Sequence, residues 1–116
     1  MASLATCPPW EARQAEALRQ AVAAAFPGAR QAYKAGWRAV TFADKAVGFV
    51  CGVFVRRGGP SVYFENGAAL DDPDGLFTRR MARTAAADFP RGTRIPRRKI
   101  AAMVARSVML ASVAAG

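Results

Sequence analysis

The segment Val47–Arg56 alternates in a way few chains can satisfy with anything but a strand. Val47, Phe49, Cys51, Val53 and Val55 fall on one set of alternate positions, and Gly48, Val50, Gly52, Phe54 and Arg56 on the other. A period of two sends successive side chains to opposite faces of a sheet. Gly58-Gly59 lets the chain reverse, and Pro60 suits the first position of a returning strand. Val62 and Phe64 then share a face against Tyr63 and Glu65. Ala46–Gly67 is therefore predicted to be a β-hairpin and the nucleus of a sheet.

The flanking segments supply its cover. Pro8 and Pro9 suit the opening of a helix, where a missing N–H costs nothing. The spacing of Leu18, Val22 and Phe26, with Ala15 and Ala25 beside them, predicts a helix from Trp10 to Phe26 with one apolar stripe, ended by Pro27-Gly28. Glu16, three residues from both Arg13 and Arg19, belongs to its solvated side. A second helix is predicted over Arg97–Val113, opened by Pro96, with Ile100, Met103, Val104, Ser107, Val108 and Ala111 as its inner stripe. Residues 1–9 read as a loose N-terminal segment.

Between the helices the strand signals vary in strength. Ala29–Gly36 is a connector or short strand, and Trp37–Ala43 alternates as a strand before a turn at Asp44-Lys45. Gly48 and Gly52 lie four residues apart on one side of the hairpin. Close approach of a crossing helix is the plainer reason for them, and a ligand lying on that face the sharper one. Leu76–Arg80 is expected to form a short helical turn, and Met81–Phe89 one more strand, weakly marked because alanine dominates. Successive strands with short links favour an α+β fold: an antiparallel sheet of about four to five strands, with both terminal helices packed on one face. The 116 residues suit a single domain large enough to bury a core.

Charge is distributed unevenly. Residues 1–78 carry 8 basic and 7 acidic groups, whereas residues 79–116 carry 9 basic groups and only Asp88, so nearly all of the net +9 belongs to the C-terminal third. Arg79, Arg80, Arg83, Arg97, Arg98 and Lys99 are its candidate anion-binding residues. Arg97, Arg98 and Lys99 open the last helix, where the macrodipole disfavours positive charge, so an anion contact there would have a physical rationale. The plainer reading is a solvated face in an Ala- and Arg-rich chain. Asp71, Asp72 and Asp74 stand within four residues. Together with Pro73 and Gly75 they read first as a turn, since a calcium loop needs further oxygen ligands at ordered spacing.

Several classes of function are disfavoured. The chain has no histidine, the usual general base near neutral pH, and neither a phosphate-cradling glycine loop nor a nucleophile elbow. Cys7 and Cys51 are far apart, which suits a reducing compartment, and Cys51 reads as a small buried hydrophobe. No apolar run approaches the about 18 residues of a membrane span, and the N-terminus lacks a leader pattern. The expectation is a cytoplasmic protein without a cofactor.

Three motifs also carry a resemblance. YKAGW (Tyr33–Trp37), GFVCGVF (Gly48–Phe54) and VYFENGAALDDPDGL (Val62–Leu76), with a helix at each end, resemble the YdhG-like family, a bacterial domain of unknown function. The resemblance covers about Ala15 to Ala111. Phe77-Thr78-Arg79-Arg80 stands where the family often has a Glu-Gly-x-Gly-Lys-like segment. Some members are described as frataxin-like iron chaperones, which implies Asp71, Asp72, Asp74 and Glu65 as oxygen ligands here. Two functions follow as expectations. The first is a non-catalytic binding module that uses the basic C-terminal face for an anionic small molecule or an acidic protein, with nucleic acid as a less favoured variant. The alternative is iron handling. A monomer and a homodimer both remain open.

Overall fold

A computed structural model describes residues 8–115. The expected loose N-terminal segment, Cys7 included, falls almost wholly outside them. Helix α1 (Pro9–Ala25) is followed by strands β1 (Arg30–Lys34), β2 (Ala39–Asp44), β3 (Gly48–Phe54), β4 (Ser61–Phe64), β5 (Arg79–Arg80) and β6 (Ala85–Asp88), and by helix α2 (Arg97–Ala115). The strands form one antiparallel sheet in the order β1-β2-β3-β4-β6-β5. The fold is α+β with a helix at either end of the sequence.

Register explains how the sheet receives both helices. Val40, Val53, Val62 and Ala87 pair across β2, β3, β4 and β6 in one row. Phe42, Cys51, Phe64 and Ala85 form the next. All eight are buried, and all but Ala85 form one continuous core with Leu18, Val22 and Phe26 from α1 and Ile100, Met103 and Val104 from α2. The α2 stripe is the one its spacing predicts. Ser107 joins it by donating its hydroxyl to the Met103 carbonyl (2.8 Å), which removes the cost of a buried polar group. Cys51 is a buried hydrophobe as expected, and burial pushes its thiol up to about 12.

The sheet has six strands rather than four to five: Ala29–Gly36 holds the short strand β1, one of the two readings its sequence allowed, and Arg79–Arg80 adds β5. Leu76–Arg80 is extended, not helical. The Asp72 carboxylate accepts from both the Leu76 and Phe77 N–H groups (2.8 Å each), and Phe77 packs 5.6 Å from the Phe64 ring. Thr78 N–H then donates to the Ala86 carbonyl (2.8 Å), drawing the segment onto β6. The last strand is shorter than predicted because Met81–Thr84 makes the hairpin turn, closed by Met81 N–H on the Thr84 carbonyl (2.9 Å). Trp37 does not begin β2. A 3₁₀ turn spans Ala35–Trp37 and Arg38 takes a left-handed conformation (φ 50°), so β2 starts at Ala39.

A bulge overturns one further expectation. Phe42 pairs with Cys51 but Ala43 pairs with Phe49, leaving Val50 as the extra residue. Val50 and Cys51 are both buried in the core, and Phe49 turns to the opposite face. Among the described residues no helix crosses Gly52. The Phe54 and Phe49 rings lie over it, and an added Cβ would sit 3.1 Å from Phe54. Gly48 is a turn glycine with φ +80° and open space around it.

Two glycines tie the far loops to the sheet. Gly59 has φ +143°, and a side chain there would run into the Phe89 carbonyl. At Gly67 a side chain would run into the Ala85 backbone. Both are close-approach positions where a methyl group forces main chain apart. Gly59→Ala and Gly67→Ala are each expected to lower stability by about 2 kcal/mol, read as a lower urea midpoint with an unchanged slope.

Candidate functional site

Because α1 and α2 lie on one side of the sheet, the other side is left to side chains alone. Val62 and Phe64 point into the core, so Tyr63 between them must point outward. Its row across the sheet is Ala32, Thr41, Gly52, Tyr63, Ala86 and Arg79. The small residues Gly52 and Ala86 flank Tyr63 across the sheet. Phe54 meets that ring edge-on (centroids 4.7 Å apart, planes at 60°), a favoured aromatic geometry.

Arginines complete the arrangement. The Arg79 guanidinium lies 5.1 Å from the Tyr63 ring centre and donates to the Tyr63 hydroxyl (2.7 Å). Arg56 lies 6.0 Å from the same ring centre and also donates to that hydroxyl. A phenol oxygen has two lone pairs, so with both engaged its own proton is left to donate.

Arg79 is in turn held by Asp88, with Nε on Oδ2 and Nη2 on Oδ1 (2.7 Å each). This bidentate fork is the strong form of the interaction. The buried Ser61 hydroxyl donates to Asp88 Oδ1 (2.5 Å), and the Thr78 hydroxyl donates to Oδ2 (2.9 Å). Hydrogen bonds from Arg79, then those from Ser61 and Thr78, hold the Asp88 carboxyl well below the usual carboxylate range, against the opposing effect of burial. Arg79 is pushed up correspondingly, first by Asp88 and then by Tyr63. Asp88 is therefore an anion and Arg79 a cation near neutral pH.

Two hollows lie beside this cluster, one lined by Tyr63 itself and the other by the two arginines that donate to its hydroxyl. One, of ≈ 300 Å³, is apolar and lined by Phe49, Phe54, Tyr63, Phe64 and Thr84, with Glu65 on its rim. The other, of ≈ 420 Å³, is lined by Arg56, Arg57, Ser61, Arg79 and Asp88. Arg56 and Arg57 are exposed. Three guanidinium groups against one carboxylate leave this cleft with two excess positive charges.

The basic residues singled out in the sequence do not share one surface. Arg79 alone belongs to the helix-free face. Arg80, one position on, points the other way. It lies 5.3 Å from the Phe77 ring and donates to the carbonyls of Gly67 (3.4 Å) and Leu70 (3.2 Å). Arg83 is exposed in the β5–β6 turn. Arg97 and Arg98 open α2 and border a hollow against Ala21, Ala24 and Ala25 of α1, in the helical layer, with exposed Lys99 beside them. Asp72 uses both carboxylate oxygens on its own turn, while Asp71 and Asp74 are exposed. Among the described residues no group of three or more His, Cys, Asp or Glu comes together in a way that could hold a metal.

Arg56 and Arg57 are marked in the sequence only by following Phe54, an aromatic–basic run that fits a charged strand edge equally well, and Ser61, Tyr63 and Asp88 carry no site signal of their own. The alternation of Val62, Tyr63 and Phe64 tells only that Tyr63 faces away from its neighbours. Nothing local predicts Asp88, whose partners come from β4 and β5. Gln14 was missed for the same reason. Its Nε2 donates to the carbonyls of Phe89 (2.7 Å) and Pro90 (2.9 Å), and its Oε1 accepts from Gly92 N–H (3.2 Å), tying α1 to the loop behind the cleft.

Comparison with protein-family models, curated proteins and solved structures gives no match. The YdhG-like resemblance rests on the sequence motifs alone.

Asp88→Asn should loosen this cluster. Asp88 and Arg79 side chains are 34% and 38% exposed, so solvent screening limits the loss to about 1 kcal/mol, or about 4 °C in Tm. The folded-state pKa of Asp88 lies below its ordinary value of 3.8. Its contribution is therefore complete above that pH and drains away as the pH falls below it. Thermal melts of wild type and D88N are expected to differ at neutral pH and to converge in acid.

Proposed function

We propose that the protein is a non-catalytic binding module that takes a small amphipathic anion on the helix-free face of its sheet. The observation that carries the reading is that Tyr63 lines an apolar hollow while its hydroxyl accepts from Arg56 and Arg79, which line a cleft with excess positive charge. An apolar body would rest against Phe49 and Phe54, while an anionic head would meet Arg56, Arg57 and the Tyr63 hydroxyl proton. Pockets of a few hundred Å³ with few but convergent polar groups suit small ligands. Arg79 serves to position Tyr63 and Arg56, because its own fork is occupied by Asp88.

The non-catalytic part of the proposal has its own support. The chain has no histidine. Cys51 is buried with its thiol pushed up to about 12, and Asp88 is held ionised, so neither is poised to attack or to exchange protons near neutral pH. Single-stranded nucleic acid is a poorer fit. The Tyr63 ring already has Arg79 over it and Phe54 at its edge, so bases would have no open ring to stack on. Iron handling has no comparable support, since the Asp71–Asp74 turn uses Asp72 internally.

Thermal shift with phenyl phosphate, inorganic phosphate and benzyl alcohol tests the proposal. Phenyl phosphate at about ten times its Kd should raise Tm by about 4 °C, inorganic phosphate less, and benzyl alcohol least. The shift should shrink with salt and disappear in Arg56→Ala/Arg57→Ala. A shift that instead depends on Arg97, Arg98 and Lys99 would move the site to the start of α2. No shift with any of the three would overturn the proposal.

A further inference from the structure

The opposite edge of the sheet carries a second, independent feature. Among the described residues β1 has β2 as its only neighbour, so one row of its main-chain N–H and C=O groups faces away from the sheet. Such an edge is a template for another strand. Gln31 and Tyr33 stand in register with Phe42 and Val40, on the helix side. Arg30, Ala32 and Lys34 stand on the helix-free side.

A groove runs beside this edge. It holds ≈ 340 Å³ between α1 and β1, bounded by Glu16, Arg19, Gln31 and Tyr33, with Val40 lining it. Its walls are braced. Arg19 grips the Glu16 carboxylate with Nε (2.8 and 3.0 Å) and donates from Nη1 to Gln31 Oε1 (2.9 Å). Tyr33 is 40% exposed, among the most open large apolar side chains of the described residues.

Charge selects among the possible occupants. β1 reads Arg-Gln-Ala-Tyr-Lys, with two cations and no acid. A second copy pairing antiparallel about Ala32 would set Arg30 opposite Lys34 at both ends. Like charges directly opposite one another destabilise a strand pair. An extended segment with acidic residues at those positions meets opposite charges instead, and the net +9 of the chain favours its approach.

We propose that the β1 edge and the α1–β1 groove form a docking site for an extended acidic segment of a partner protein, bound by strand addition. Main-chain hydrogen bonds to β1 supply the bulk of the binding. Acidic side chains on the helix-free side pair with Arg30 and Lys34, and the alternate apolar side chains enter the groove beside Tyr33. Nothing in this proposal depends on the small-anion site, which lies around β3 to β6 and the β3–β4 loop.

The test is amide hydrogen exchange on the full chain with a blocked heptapeptide alternating Glu and Val, and with its Lys–Val counterpart. The Glu–Val peptide near saturation should slow exchange of the outward amides within residues 30–34 about tenfold, and the Lys–Val peptide should not. Arg30→Glu/Lys34→Glu should reverse that preference with Tm unchanged, since both side chains are exposed. The proposal fails if the β1 amides are unaffected, if both peptides slow them equally, or if protection appears on β4 and β6 instead. It also fails if protection grows with protein concentration alone and sedimentation shows a dimer, which would make a second copy the occupant.

Discussion

Burial of a single face of the sheet is the constraint from which the other features follow. Apart from Ala85, the paired rows Val40–Val53–Val62–Ala87 and Phe42–Cys51–Phe64–Ala85 meet the apolar stripes of α1 and α2 in one core. Each fully buried aliphatic or aromatic side chain in it contributes on the order of 2 kcal/mol. Two helices of this length cover one side of six strands and no more. The second side must therefore be made compatible with water by its own side chains, and the two edges must be managed separately.

The helix-free face solves this with one aromatic cluster and one ion pair. Tyr63 stands between the small residues Gly52 and Ala86, Phe54 packs against its ring, and Arg79 caps it. Ser61 and Thr78 share the Asp88 carboxylate with Arg79, so the charge is paired as well as hydrogen-bonded. The bulge at Val50 adds Phe49 to the same face. The result is an apolar hollow beside a cationic cleft, linked through the Tyr63 hydroxyl. Near neutral pH both members of the Arg79–Asp88 pair are ionised.

The edges differ in how open they are. β5 is only two residues long, and its Arg80 turns back to carbonyls of the preceding loop. β1 is five residues long and faces outward with two cations. Short length and positive charge are both common protections against edge-to-edge association. In β1 the charge disfavours self-pairing without blocking a strand of opposite sign.

Much of the fold was legible from periodicity. The hairpin at Gly58-Gly59, the stripes of α1 and α2, and the burial of Cys51 follow from residue spacing, because amphipathic elements of this size have one way to bury their apolar side. The Asp71–Gly75 turn was legible too, since its hydrogen bonds are local. The functional surfaces were less so. A linear count of charge drew attention to the C-terminal third, yet Arg79 and Arg80 alternate to opposite sides of the sheet, and Arg97–Lys99 lie in the helical layer. The Val50 bulge moved Phe49 across the sheet, against the alternation in its own strand. Pairing Asp88 with Ser61, Arg79 and Thr78 needed the β4–β6–β5 register, and β6 is marked in sequence by little more than alanines. Sequence alone determined which side chains each helix and the main hairpin could bury, because those patterns are local. Only the tertiary structure decided which polar residues share a surface, because strand order and one extra residue in β3 bring together groups that no spacing along the chain relates.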